Sequence, residues 1–391
     1  MLNKTCSLLL IMLLLTFISC KDRGEYANEN HTFSSTSSAS ISDIFSDVEI
    51  IPLNFSGNSY PSVVERMLVN DNYIIILDDK KILHVFKPNG SYIASSNEKI
   101  GNGPGEYSVL MGFTWNPYTQ FIEVLTPNRL YSYDEKFNLK NAAKLPTKIG
   151  ENGLLFCEIF DLSATRHLLL PTSMSDKPYC VMDYDSSKGV IVEKSSYSED
   201  IIAPITMQPR CFFLMRDNTL LFIPPVLTDG LYAVNGVQSV DNGGVSLQKE
   251  ITLHTENDLL KEDIQAYENS QRSLNNYLIS SDKNIRLRVF PNSKKIIASY
   301  KFKNGCTMKD MFTAIIDRQT KKVNTIKLFS DDSYQFPFIE DIDEEYAYAI
   351  IEKEILETRP KLLMNHSANI DSVLNTIEDE SLVLLKYKLR E

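Results

Sequence analysis

Four charged residues stand where a repeated fold would bring polar side chains to a common centre. Each lies in or beside a short β-rich stretch that precedes an apolar run; the four are Arg66, Glu158, Arg210 and Glu340. Guanidinium and carboxylate groups that converge in a sheltered channel can form strong, charge-assisted hydrogen bonds to a polar ligand. The competing interpretation is ordinary alternation of surface charge, and the spacing leaves both interpretations open.

The sequence lacks a recognisable set of catalytic or metal-binding side chains. Its histidines do not pair at ligand spacing, and it has no GxSxG motif and no CxxC pair. The acidic cluster Glu340–Glu345 does not match a calcium loop, and a solvated strand end is the preferred interpretation. We therefore expect no catalytic residue, no metal and no cofactor. The histidines beyond the leader are His31, His84, His167, His254 and His366, of which His84 and His167 are expected to be structural.

The segment GNGPGEY, residues 101–107, is the most compact glycine-rich motif. Its backbone amides could face an anion or a glycan oxygen, which makes Gly103, Gly105, Glu106 and Tyr107 candidate ligand-binding residues. The motif lacks the GK[ST] ending of a phosphate-binding loop. The preferred interpretation is a tight connection that needs positive φ, with Glu106 and Tyr107 packing it down.

The composition limits the class of partner. The chain carries a net charge of −11, and loss of one lysine with the leader makes it −12. An acidic chain without basic runs is a poor nucleic-acid binder, so no nucleic-acid partner is expected. Four cysteines besides Cys20 are scattered, and buried thiols are expected rather than a disulfide framework; they are Cys157, Cys180, Cys211 and Cys306.

The elements that position these residues emerge from internal repeats. Six short apolar runs start at Tyr73, Phe121, His167, Thr219, Lys295 and Tyr346, with separations of 48, 46, 52, 76 and 51 residues. Each run is apolar at consecutive positions, which is typical of a strand buried on both faces. A β-rich stretch precedes each run, and further strands follow it through turns such as Asn89–Gly90.

The unit is therefore four antiparallel strands in about 48 residues, repeated six times, which predicts an all-β six-bladed β-propeller. The last unit ends with its third strand at Leu382–Leu389. The segment Val48–Leu53 resembles the fourth strand that this unit lacks. We expect this N-terminal strand to close the last blade. Two helical insertions are predicted, one over Glu256–Tyr277 with a Thr255/Asp258 capping box, and one over Ile370–Ile377 after a break at Pro360.

The N-terminus has the features of an exported, lipid-anchored protein. Lys4 precedes an apolar run from Leu8 to Leu15, too short to span a bilayer. The following Phe17–Cys20 resembles the lipobox of bacterial lipoproteins, in which the cysteine is acylated. The expected organisation is a signal peptide over residues 1–19, a flexible tether over 20–42 and the propeller over 43–391.

The chain also resembles a known family. GNGPGEY, the SDVEIIPL segment from Ser46 and the strand layout are similar to the six-bladed, NHL-like β-propeller lipoproteins of Bacteroidetes. Lys21, Asp22 and Glu25 resemble the tag that sends some Bacteroides-type lipoproteins to the cell surface. The resemblance implies an outer-membrane location, and the tag-like residues extend this expectation to the cell surface. Most members of the family have no established activity.

Two functional classes follow. The favoured one is a non-enzymatic binding or scaffold lipoprotein for a glycan, a peptide or an envelope protein. The alternative is a lyase or hydrolase of the NHL type with a metal-dependent site in the central channel, which would need metal ligands from several blades.

The predicted attachment to the membrane through a lipid on Cys20 can be tested by mutation. We expect Cys20→Ala to move the protein from the membrane fraction to the soluble fraction, because the acylated thiol is the predicted attachment point. Fractionation followed by immunoblotting measures this, with Cys6→Ala as the matched control that keeps membrane association. Retention of Cys20→Ala in membranes would contradict the prediction.

Overall fold

The structure is a computed structural model that describes the chain with gaps. The described residues are 29–33, 39–55, 61, 63–149, 152–172, 179–197, 200–203, 207–236, 245–268, 283–301, 311–330, 333–334, 336–363, 375 and 381–390. The predicted signal peptide and Cys20 lie outside these residues. No described helix is both long and apolar enough to cross a membrane.

The chain builds six four-stranded antiparallel sheets arranged as the blades of a propeller. It begins with β1 (Glu29–Phe33), α1 (Ile41–Ile44) and β2 (Phe45–Pro52). Blade one contains β3 (Val64–Val69), β4 (Ile74–Asp78), β5 (Leu83–Phe86) and β6 (Tyr92–Ser95), followed by a 3₁₀ turn at Asn97–Lys99. Blade two contains β7 (Gly112–Asn116), β8 (Phe121–Leu125), β9 (Arg129–Tyr133) and β10 (Leu139–Lys144), with the small pair β11 (Lys148–Ile149) and β12 (Asn152–Gly153) after it.

The middle blades follow the same order. Blade three contains β13 (Phe156–Asp161), β14 (Arg166–Pro171), β15 (Cys180–Asp185) and β16 (Val190–Ser196). The next strands in the chain are β17 (Ile201–Ala203), β18 (Phe212–Leu214), β19 (Leu220–Phe222), β20 (Leu227–Thr228), β21 (Gly230–Asn235) and β22 (Ser246–Thr255). Blade four is formed by β18, β19, β21 and β22, while β17 and β20 form a separate pair beside it.

The last blades complete the ring. Helix α2 (Lys261–Glu268) precedes blade five, which contains β23 (Ile285–Pro291), β24 (Lys295–Lys301), β25 (Met311–Asp317) and β26 (Val323–Lys327). A small pair follows, β27 (Phe329–Ser330) and β28 (Ser333–Tyr334). Blade six contains β29 (Asp341–Ile342), β30 (Tyr346–Glu352) and β31 (Leu382–Leu389), with α3 (Lys353–Thr358) and a 3₁₀ turn at Pro360–Leu363 between the last two.

The six apolar runs all become the second strand of a blade, which confirms their interpretation as strands buried on both faces. β4 and β19 are buried at every position, and β14 and β24 are buried at every position except the first. A second strand has a neighbour on each side within its sheet and a neighbouring blade on each face, so it has no wet side. The hydrophobic core accordingly lies between adjacent blades.

The predicted closure of the ring by the N-terminal strand is confirmed. β2 pairs antiparallel with β31, from Phe45 opposite Leu389 to Pro52 opposite Val383. Phe45 is fully buried and stacks on Tyr387 with ring centroids 4.8 Å apart. The blade therefore takes one strand from the start of the chain and three from its end.

The expected flexible tether is wrong for residues 29–33, because these residues form β1. β1 pairs in parallel with β22 and adds a fifth strand to the outer edge of blade four. Glu29 also accepts hydrogen bonds from the guanidinium of Arg318 in blade five at 3.0 and 3.3 Å. Burial raises the pKa of Glu29, but His31 and Arg318 outweigh this effect and hold it at about 2. The segment therefore links two blades.

The first helical insertion is partly as predicted. Thr255 and Asp258 form the expected local hydrogen bonds, with the Thr255 amide donating to Asp258 at 2.9 Å. The helix itself starts later, at Lys261, after Leu260 donates its amide to Asp263 at 2.8 Å. Residues 269–282, which include the end of the predicted helix, lie outside the described residues.

The second insertion is described in part. Helix α3 ends at Thr358, before Pro360, as expected for a residue that cannot continue a helix. Within the helix predicted over 370–377, only Asn375 is described, as a turn residue. The other positions of that predicted helix lie outside the described residues.

The closing strand makes a prediction about stability. We expect deletion of residues 45–52 to lower the Tm by about 10 °C or more, because it removes the buried Phe45 and Ile51 and exposes the edge of β31. Deletion of residues 29–33 is the matched control, since β1 adds to a blade that already has four strands. Differential scanning calorimetry compares them, and equal Tm losses would contradict the assigned closure.

Candidate functional site

The first strands of the blades bring charged side chains together inside the ring. The guanidinium of Arg66 in β3 donates two hydrogen bonds to the carboxylate of Glu158 in β13, at 2.8 and 2.9 Å. Arg66 is 7% exposed and Glu158 is 4% exposed. Two residues that are 92 positions apart in the sequence therefore form a buried, bidentate ion pair between blade one and blade three.

Two further ion pairs join blades four, five and six. Arg210, just before β18, contacts Asp341 of β29 at 2.7 Å, and the second Asp341 oxygen accepts the Val69 amide at 2.8 Å. Arg288 of β23 donates to Glu340 at 2.8 Å. Blades one and three, four and six, and five and six are thus connected by charge pairs. All four residues that the sequence selected for the channel take part in these pairs.

Each of the three arginines also covers a phenylalanine ring. The guanidinium carbon lies 4.8 Å from the ring centroid of Phe113 for Arg66, 4.4 Å from Phe213 for Arg210, and 5.1 Å from Phe338 for Arg288. An aromatic face attracts a cation, most strongly where water is excluded. The ring and the carboxylate together fix the plane of each guanidinium.

A β-bulge in the first strand orients three of these charged side chains toward the axis. The strand register shifts between Val64 and Arg66, between Phe156 and Glu158, and between Arg286 and Arg288. A β-bulge inserts one residue and turns the following side chain away from strict alternation. Blades one, three and five therefore carry a bulge immediately before the channel charge.

The paired groups retain hydrogen-bonding capacity. Burial raises the pKa of Glu158, Glu340 and Asp341, and the facing guanidinium groups oppose this rise. Among the described residues, the buried Nε atoms of Arg66, Arg210 and Arg288 and Oε2 of Glu340 have no hydrogen-bond partner. Buried polar atoms of this kind are normally satisfied by water or by a ligand, so the channel can accept polar atoms along its axis.

A cavity of about 330 Å³ opens at one mouth of this channel. Every blade contributes to it through the hairpin that joins its first and second strands. Its aromatic side chains include Trp115, Tyr118 and Phe160, and its charged side chains are Asp161, Arg210, Asp343 and Glu344. Tyr118 is 59% exposed, while Trp115 is held edge-on by Tyr73 at 4.9 Å. The cavity therefore combines aromatic faces with polar groups.

The GNGPGEY loop forms a tight, hydrogen-bonded connection between two blades and does not line the cavity. It lies between blades one and two, where the Gly103 amide donates to the Glu106 carboxylate at 2.8 Å and the Tyr107 hydroxyl donates to Ser96 at 2.6 Å. Gly105 has φ of +75°, and its carbonyl accepts the Tyr133 hydroxyl at 3.0 Å. Glu106 thus fills the concavity that an anion would occupy. Because consecutive strands are antiparallel, the loop lies on the face opposite the cavity.

One arrangement of side chains has the composition of a hydrolase triad. His167 contacts Asp161 at 2.7 Å through Nδ1 and Ser186 at 3.0 Å through Nε2. The Ser186 hydroxyl, however, donates to the Thr165 carbonyl at 2.9 Å, and the Ser187 and Lys188 amides donate to Asp185. The amide donors that an oxyanion would need beside Ser186 are therefore engaged. The arrangement is interpreted as a structural hydrogen-bond chain.

The described residues contain no group of three or more His, Cys, Asp or Glu side chains suited to a metal ion. The prediction of a solvated strand end is wrong for two members of the acidic cluster. Asp341 is buried and pairs with Arg210, and Glu340, whose side chain is 12% exposed, pairs with Arg288. Cys157, Cys180 and Cys211 are free thiols, and burial raises the pKa of Cys157 to about 12. Cys306 lies outside the described residues.

Sequence reasoning missed Arg288 and Asp341. Arg288 occupies in blade five the position after the bulge that Arg66 occupies in blade one, but a bulge has no sequence signature of its own. Asp341 was visible only as a member of the acidic cluster. A search for charged residues in each first strand would have found Arg288 together with Arg286, whereas the pairing of the charges required the topology.

These features define a class of protein: a closed six-bladed β-propeller with an ion-paired axis and one aromatic-lined mouth. The chain belongs to the family described as "Domain of unknown function (DUF4934)", whose model matches residues 27–388. No curated protein matches this sequence.

Two solved structures share the fold. A Bacteroides fragilis protein described as exported is 16% identical, with a TM-score of 0.71, and the alignment covers 93% of this chain and all of that one. A member of the DUF4221 family from Bacteroides vulgatus is 10% identical, with a TM-score of 0.52 and coverage of 89% and 98%. At these identities the similarity establishes the fold alone.

The axial ion pair yields a prediction about stability. We expect Arg66→Met and Glu158→Leu each to destabilise the fold by about 3–5 kcal/mol, since each leaves one buried charge without its partner. The double variant is expected to be more stable than either single variant, because both charges are gone. Denaturant unfolding of the unaltered protein, the two single variants and the double variant measures these free energies.

The matched control is the exposed pair Lys81 and Glu65, whose side chains are 48% and 35% exposed. Lys81→Met and Glu65→Leu are expected to change the free energy of unfolding by less than about 1 kcal/mol. Additive losses in the Arg66/Glu158 double variant would show that the two side chains do not act as a pair.

Proposed function

We propose that this protein is a non-enzymatic binding module of the cell envelope and that the axial cavity holds its ligand. The observation that carries the proposal is the convergence of all six blades on one cavity lined by aromatic side chains, of which Tyr118 is exposed. Pockets that combine apolar walls with a few fixed polar groups are the usual form of a ligand site. The buried ion pairs below hold the floor of the cavity in one arrangement.

Of a glycan, a peptide and an envelope protein, a neutral glycan fits this cavity best. Aromatic faces such as those of Trp115 and Tyr118 stack on the apolar faces of sugar rings. Asp343 and Glu344 line the same wall and give it negative charge, which disfavours an acidic polymer. Hydroxyl groups of a sugar can donate hydrogen bonds to such carboxylates. They can also accept from the side-chain amide of Asn70 at the hairpin of blade one, whose Nδ2 has no hydrogen-bond partner among the described residues.

The proposed location is the outer membrane, with the lipid on Cys20. The lipobox-like segment supports the anchor, and the exported description of the Bacteroides fragilis protein supports an envelope location. β1 pairs with blade four, which supports an attachment point beside that blade. Glu29 follows Cys20 by nine positions, and a chain of that length reaches at most about 30 Å. The edge of blade four would therefore lie close to the membrane.

The ligand proposal is tested with a glycan array probed by purified residues 21–391. We expect retention of a neutral oligosaccharide, and we expect Tyr118→Ala to weaken its binding about ten-fold in calorimetry because a stacking face is lost. Trp115→Ala is expected to weaken binding at least as much, and its Tm is measured because this ring also packs on Tyr73.

The matched control is Val192→Ala, which truncates a 52% exposed side chain on the outer strand of blade three. It is expected to bind the glycan like the unaltered protein. Absence of any retained glycan, or equal affinity of Tyr118→Ala and the unaltered protein, would argue against the proposed site.

A further inference from the structure

A second cavity, of about 260 Å³, lies between blades four and five. It is bordered by the end of β22, the start of α2, the β17–β20 pair and the first residues of β23. These segments lie at the opposite end of the first strands from the hairpins that line the axial cavity. The second cavity therefore opens on the other face of the disc.

Arg286 is the side chain that makes this cavity unusual. It is 8% exposed, and its one hydrogen bond to a described residue is 3.4 Å long, to the Thr228 hydroxyl. No carboxylate of the described residues lies within ion-pair distance of its guanidinium. Buried arginines are normally paired, and Arg288, two residues further along the same strand, has Glu340. The guanidinium of Arg286 lines the cavity instead.

The carboxylates around the cavity are engaged elsewhere. Lys249 contacts Asp200 at 2.7 Å and Asp229 at 2.8 Å. Asp258 accepts the Thr255 amide at 2.9 Å and lies 3.5 Å from His254. Burial lowers the pKa of Arg286, while Tyr300, Asp258 and Asp229 oppose this shift. An arginine side chain remains charged under these conditions, so the cavity holds a cation that no described carboxylate contacts directly.

We propose that the cavity between blades four and five binds a small monocarboxylate, whose carboxylate pairs with the guanidinium of Arg286. A planar guanidinium matches a carboxylate through two parallel hydrogen bonds. Ile201, Leu227 and Leu259 form an apolar wall for the remainder of the ligand. The volume is below the usual range of drug-sized pockets, so the ligand is small.

The charge of the surroundings selects a monoanion. Asp229 and Asp258 lie near enough to Arg286 to influence its pKa, and Glu262 and Lys261, of opposite charge, line the same cavity. The negative charge of Asp229 and Asp258 repels a doubly charged phosphate or sulfate more strongly than a carboxylate. A single negative charge is compensated by the single guanidinium of Arg286. This argument distinguishes a carboxylic acid from a phosphate ester.

Calorimetry at pH 7 with butanoate and benzoate tests the proposal on residues 21–391. We expect at least one of these acids to bind with a Kd below about 1 mM. Butanamide, benzamide and inorganic phosphate are expected to bind at least ten-fold more weakly, because the amides lack the charge and phosphate carries too much. Arg286→Met is expected to abolish carboxylate binding without lowering the Tm, since it removes a buried charge that lacks a contacting carboxylate among the described residues.

A second variant keeps the test decisive if Arg286→Met does not fold. Ile202→Glu places a carboxylate on a half-buried residue of the cavity wall, and we expect it to compete with added acid and weaken its binding at least ten-fold. Arg129→Met, which removes an exposed arginine of blade two, is the matched control and should bind like the unaltered protein. The Tyr118→Ala variant should also bind carboxylate normally, because the axial cavity is separate.

Two results would overturn the proposal. One is the absence of binding by both acids to the unaltered protein. The other is equal carboxylate affinity of the unaltered protein, Arg286→Met and Ile202→Glu, which would place the acid elsewhere. Loss of glycan binding at the axial cavity would leave this inference intact.

Discussion

The faces of the six blades are buried only while the ring is closed, because the facing surfaces of blades one and six are covered by each other. Their shared cluster contains Ile51 and Leu53 from the closing segment, Met67 and Ile74 from blade one, and Leu384 from blade six. The chain then crosses directly to blade one, where the Asn54 amide donates to the Gly90 carbonyl at 3.2 Å. A Cβ on Gly90 would lie 1.9 Å from the Pro52 carbonyl oxygen, so this turn requires glycine both for its φ of +80° and for the crossing.

Closure also creates the environment of the axial charges. The six first strands face one axis and bury the charged side chains there, and a buried charge is costly unless it is paired. The three arginine–carboxylate pairs meet this condition, and each joins two different blades. Such pairs contribute little net stability relative to an apolar core, but an incorrect arrangement of blades would leave buried charges unpaired. We infer that the pairs favour one arrangement of the ring, on which the shape of the axial cavity depends.

The sequence was sufficient for the fold because second strands are buried on both faces and read as continuous apolar runs. It was also sufficient for the closing strand, since Val48–Leu53 has the pattern of the strand that blade six lacks. It was insufficient for β1, whose residues are mostly polar and whose placement depends on Glu29 meeting Arg318, 289 positions away. The sequence indicated which charged residues could face the channel, but it did not indicate which of them form pairs. The bulges before Arg66, Glu158 and Arg288 break the alternation from which side-chain direction is predicted.

The position of β1 relates the proposed lipid anchor to the two cavities. β22 carries β1 on its outer edge, and its last residues border the cavity that contains Arg286. β1 runs parallel to β22, so Phe33 lies at the end of β22 that borders this cavity, and Glu29 lies on the opposite side. Glu29 contacts Arg318, which donates a hydrogen bond to the carbonyl of Asn292 at the axial cavity. Under the proposal that Cys20 carries a lipid, the anchored segment would therefore leave blade four on the side of the axial mouth. The cavity that contains Arg286 would then open on the face turned away from the point of attachment.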